Sequence, residues 1–114
     1  MAEAYIKAQL FMSDFKSYKT AKEIRSTLEV HREELRKGYS VKEIGIFGSY
    51  LKGEQKEASD LDILVEFEKP IGLLNFVRLK NYLSDLFGVN VDLVMKKALK
   101  PGIGQRILSE VQYV

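Results

Sequence analysis

Apolar positions change their spacing several times along the chain, and each change predicts an element. From residue 20 to about 37, Ile24, Leu28 and Leu35 recur along one side while Glu and Arg pairs fill the rest, predicting a helix. Thr20, followed by Glu23 at the third position, is a capping signal, and Gly38 can end the helix. Residues 41–47, VKEIGIF, then read as a strand. The polar stretch KGEQKEAS has few apolar anchors and is expected to stay mobile until a ligand arrives. In the segment that follows it, Leu61, Ile63, Val65 and Phe67 take one face of a second strand, and Asp60 and Asp62 the other.

Pro70 and Gly72 interrupt the pattern, after which Leu73, Phe76, Val77, Lys80, Leu83, Leu86 and Phe87 return to helical spacing up to Gly88. That stripe reads as core. Val91, Leu93 and Met95 alternate with Asp92 and Val94, predicting a strand over residues 90–96. From Pro101 onward, Ile103, Ile107, Leu108 and Val111 predict a last helix. Gly102 and Gly104 weaken it, each by about 1 kcal/mol relative to alanine. At the other end, Ile6, Leu10, Phe11 and Phe15 give residues 1–19 the pattern of a short amphipathic helix or of a tail that docks on a partner.

With 114 residues, 46% hydrophobic and 30% charged, the chain can bury one core and not two. It has no cysteine, which excludes disulfides, thiolate catalysis and cysteine metal sites and fits a reducing cytoplasm. No run of eighteen apolar residues exists, and the start MAEAYIKAQLF lacks the layout of a signal peptide, so a cytoplasmic protein without a membrane contact is expected. A net charge of only +2 gives no reason to expect direct nucleic-acid binding. Lys96, Lys97 and Lys100 could border a ligand pocket, but they read more readily as a solvated strand end. His31, the one histidine, lies in a charged helical run and is given no role.

The chemistry concentrates in IGIFGSYLKGEQKEASDLDILVEF. Two carboxylates projecting from one strand face can reach the same ion, and hard oxygen ligands beside a phosphate site suit Mg²⁺. Gly48 lets the backbone come close to an anion, Ser49 adds a hydroxyl, and Lys52 supplies a mobile positive charge. Asp92 lies in an apolar run, where an acid is costly unless it has a partner. Gly-Ser or Asp-x-Asp alone is common, but all four fixed positions at this spacing arise by chance at about one site in 10⁵.

The string GSYLKG...SDLDILV resembles the signature of the polymerase-β-like nucleotidyltransferase superfamily. Chain length and the ending VDLVMKKALKPGIGQRILSEVQYV look specifically like its minimal nucleotidyltransferases, the small partners of HEPN proteins. The resemblance covers residues 22–114, leaving residues 1–21 as an N-terminal extension. It implies an α+β (α/β) fold, a small mixed β-sheet with helices packed against it. It also implies catalysis by Asp60, Asp62 and Asp92, which would bind two Mg²⁺ ions, with Gly48, Ser49 and Lys52 on the phosphates of ATP. Relatives commonly carry arginine where Lys52 stands, which would give the phosphate a bidentate fork. The implied activity is transfer of AMP to a hydroxyl, a tyrosine of a HEPN toxin, making the protein an antitoxin within a homo- or hetero-oligomer. A non-catalytic module that neutralises the same partner by docking is the alternative.

Overall fold

The computed structural model describes residues 20–56 and 58–114, so the expectations for residues 1–19 fall outside the described part. Helix α1, Ala21–Val30, starts as the sequence indicates, with the Thr20 hydroxyl oxygen accepting from the Glu23 N–H at 3.2 Å. The continuous helix expected to about residue 37 is instead two. His31 closes α1: its backbone N–H donates to the Thr27 carbonyl at 3.2 Å, and its ring Nδ1 lies 2.8 Å from the same oxygen. Helix α2, Arg32–Tyr39, begins beyond it. The stop is Ser40 and not Gly38, which lies inside α2. Ser40 adopts a left-handed φ of 59° and its carbonyl accepts from the Glu68 N–H at 2.8 Å, a tertiary tie that holds the unusual turn.

Four strands form one mixed sheet in the order β3-β2-β1-β4: β1 Val41–Phe47, β2 Leu61–Phe67, β3 Val91–Met95 and β4 Gln112–Tyr113. Strand β1 is antiparallel to β2 and to β4, whereas β2 and β3 are parallel. A parallel pair needs a crossover, supplied by α4, Leu73–Phe87, which ends at Gly88 with φ of 69°. The Gly-Ser turn is itself a short helix, α3, Gly48–Lys52. The last helix, α5, Ile103–Glu110, stops before Val111, and the residues after it pair as β4, an element with no signal in the local pattern. Gly45 permits this pairing, since a Cβ there would come within 2.7 Å of the Gln112 carbonyl oxygen. The small mixed sheet with packed helices is thus the α+β architecture expected.

The core lies on one face of the sheet. Ile44, Ile46, Leu61, Ile63, Val65, Val91 and Leu93 cluster with Ile24, Leu28 and Leu35 of α1 and α2 and with Leu79, Leu83 and Phe87 of α4. The expected stripe of α4 is therefore only partly core. Leu73 and Val77 are 77% and 41% exposed, whereas Phe76 between them packs against the core. Two hydrogen bonds lock the end of the sheet where β2 and β3 begin: the Leu61 N–H donates to the Asn90 carbonyl at 2.9 Å, and the Val91 N–H to the Ser84 hydroxyl at 3.0 Å. Among the described residues no helix is long and apolar enough to cross a membrane.

Candidate active site

The site forms where β1 ends and β2 and β3 begin. Gly48 takes a φ of +76°, a conformation that favours glycine, and so turns the chain out of β1 into α3. A second constraint falls on the same residue. A Cβ at position 48 would overlap Oδ2 of Asp62, so the acid lies directly against the turn. The sheet register explains this contact, because Phe47 pairs with Asp62 across the antiparallel ladder. Asp62 in turn pairs with Asp92 across the parallel one. Gly48, Asp62 and Asp92 consequently lie side by side on three neighbouring chain segments, on the face of the sheet opposite the core.

Asp60 stands one residue before β2 and is exposed, as is Asp92, whereas Asp62 is half-buried. The Asp62 carboxyl is pushed up to about 6, first by burial, then by the charge and hydrogen bonding of Asp92, with Asp60 and Glu110 adding repulsion. The negative charge of Asp60 also reaches the Tyr50 hydroxyl, which burial and that charge together hold above its usual range. Tyr50 is 1% exposed and packs into the core from α3, fixing the helix that carries Ser49 and Lys52. The loop folds back on this helix, the Glu54 N–H donating to the Ser49 carbonyl at 2.9 Å.

The structure therefore brings Asp62 and Asp92 together, places Asp60 within electrostatic reach, and seats Gly48 against Asp62. Among the described residues no three acidic or histidine side chains are gathered into a ready-made ion cage. Lys52 does not stand free: its Nζ lies 3.5 Å from Oε2 of Glu110. Glu110 is a member of this neighbourhood that the sequence reading missed. Its one local signal is an acid at a helix C-terminus, where the macrodipole favours a cation. Lys96 belongs elsewhere, about 13 Å along β3 from Asp92 at strand rise. There it clamps Glu43 and Glu66, at 3.9 Å from each, and lies 5.6 Å from the Tyr113 ring centroid.

A small mixed sheet that presses a Gly-Ser turn onto paired aspartates defines a minimal nucleotidyltransferase. The chain belongs to the nucleotidyltransferase domain family, whose model matches residues 28–114. It is 55% identical over 95 residues to protein adenylyltransferase MntA of Thermococcus cleftensis, an alignment covering 83% of this chain and 96% of that protein. A solved structure assigned as a minimal nucleotidyltransferase superposes with a TM-score of 0.70 at 35% identity, covering 83% of this chain and 96% of the other. The fold alone is shared with a chain of a tri-AMPylated HEPN toxin in complex with its MNT antitoxin from Shewanella oneidensis. There the TM-score is 0.59 at 21% identity, covering 79% and 70% of the two chains. The protein is thus an enzyme of the nucleotidyltransferase class, similar to protein adenylyltransferases.

Proposed function

We propose that residues 22–114 form the catalytic unit of a Mg²⁺-dependent adenylyltransferase that moves AMP from ATP to a tyrosine hydroxyl of a HEPN toxin and so acts as its antitoxin. The observation that carries this reading is the placement of the Asp62 carboxylate against the Gly48 turn and beside Asp92. The protein adenylyltransferase name of the Thermococcus relative and the tri-AMPylated toxin in the Shewanella complex support the reaction class and the partner.

The residues fit a divalent cation, because Asp62 is crowded by three other carboxylates and its ionised form needs compensating positive charge. Asp60, Asp62 and Asp92 would hold it, and when bound the ion supplies charge neutralisation for the triphosphate and its leaving group. The amides and hydroxyl of the Gly48–Ser49 turn orient the β and γ phosphates. The acceptor hydroxyl attacks the α-phosphorus from the Asp92 side, the bond to the β-phosphate oxygen breaks, and pyrophosphate departs. In this reading Asp92 is the acid near the attacking oxygen, and its carboxylate helps remove the proton.

The test is incubation of the purified protein with α-labelled ATP, Mg²⁺ and a HEPN partner, followed by detection of label on the partner. Wild type transfers label and Asp60→Asn does not; equal labelling by both, or none by either, removes the catalytic reading. One observation favours the docking alternative, namely the apolar residues Leu73, Leu74 and Ile103, exposed by 77%, 74% and 67%. Neutralisation of the toxin by an Asp60→Asn, Asp62→Asn double variant would select it.

A further inference from the structure

Lys52 is the last residue of α3 and Glu110 the last residue of α5, so their ion pair joins the phosphate turn to the final helix. Three features make Glu110 an unexpected residue at this place. Its carboxylate sits at a helix C-terminus, whose partial charge is already negative. It adds repulsion at Asp62, the most crowded acid of the site. It also pairs with Lys52, the only lysine of α3. A neutral side chain would avoid the first two costs, so a role toward Lys52 accounts for an acid here.

We propose that Glu110 is a positioning residue that holds Lys52 in the nucleotide-free protein and yields it to the triphosphate when substrate binds. This inference rests on the triphosphate reading given above. The pair is built to exchange: at 3.5 Å, with side chains 43% and 26% exposed, it is an ordinary solvent-screened contact. A triphosphate offers the ammonium group several anionic oxygens in place of one carboxylate, and lysine, a flexible point charge on a long stem, can swing between them. Glu110 thus orders the lysine before binding and raises the affinity a phosphate ligand must have to take it.

Titration calorimetry of the full chain with a non-hydrolysable ATP analogue and Mg²⁺ tests this. Glu110→Gln keeps the shape and removes the competitor, so it tightens binding by about two- to fivefold, the range of an exposed ion pair. Glu110→Asp, which retains the charge, stays nearer to wild type. Lys52→Ala weakens binding, and in that background Glu110→Gln changes it much less, only its field at Asp62 being left. Tightening of equal size in both backgrounds would overturn the proposal, because Glu110 would then act only through its general field. Wild-type binding with no response to Glu110→Gln would overturn this inference and leave the triphosphate reading standing, whereas absence of binding by the wild type would remove both.

Discussion

On one face of β2, Leu61, Ile63 and Val65 are at most 1% exposed and are packed by α1, α2 and α4. On the other, Asp62 stands among Asp92, Asp60 and Glu110, each of which makes its ionised form less favourable. The first face is energetically complete within the chain. The second is not, because Asp62 there is crowded by like charge. Neighbouring residues of a single strand therefore answer to different requirements, although the alternation is incomplete: Leu64, on the Asp62 face, is itself fully buried.

The largest separation of the two faces should come from Asp62→Asn. It is nearly isosteric, and it removes a charge the chain does not neutralise, so transfer falls by about 10³-fold or more, about 4 kcal/mol of transition-state stabilisation, while the fold remains. Single-turnover labelling beside a circular dichroism melt checks both halves, and retained transfer would break the comparison. Ile63→Ala does the reverse. It opens a cavity under the same strand and costs about 3 kcal/mol of unfolding free energy in urea titration, with nucleotide contacts untouched in the fraction that stays folded. Gly48→Ala lies between the two, since a methyl group meets both a φ of +76° and Oδ2 of Asp62. We expect about 1–2 kcal/mol of destabilisation together with loss of transfer.

The smallest effect is a pH dependence. The Asp62 carboxyl titrates at about 6 in the fold against 3.8 in its ordinary state. Its folded value is the higher one, so the folded state binds the proton more tightly and ionisation opposes folding. That opposition is absent below the ordinary value and complete above about 6. Metal-free protein should accordingly gain about 1 kcal/mol from this group as pH falls through that interval, a figure discounted for partial exposure. Thermal melts of wild type against Asp62→Asn isolate it; parallel pH curves would show that Asp62 is not the strained acid.

Much of the fold and of the site was legible because its signals are local. The Thr20 cap, the alternation of Leu61, Ile63 and Val65, the Gly88 stop and the spacing from Gly48 to Asp62 are all written within a few residues of where they act. The misses share a different physical origin. Ile24, Leu28 and Leu35 keep helical phase across His31, so nothing in periodicity marks the break at His31, whose backbone leaves the helical range with φ −95° and ψ 9°. Strand β4 is only two residues long and exists because Gly45, far away in sequence, leaves room for it. The Lys52–Glu110 pair links two helix ends more than fifty positions apart, and propensity is blind to such a contact. Exposure of Leu73 and Leu74 is likewise not written in their spacing.

The contact between Gly48 and Asp62 bears on how such a protein can change over time. A glycine codon lies a single nucleotide from an alanine codon, so the methyl that would crowd the acid is among the easiest variations to sample. On the proposed function, that one step would extinguish transfer while the hydrophobic side of the sheet is kept. An aspartate codon lies just as near an asparagine codon, so on the proposed function descendants that survive purely as scaffolds should lose the turn glycine and the aspartates with comparable ease.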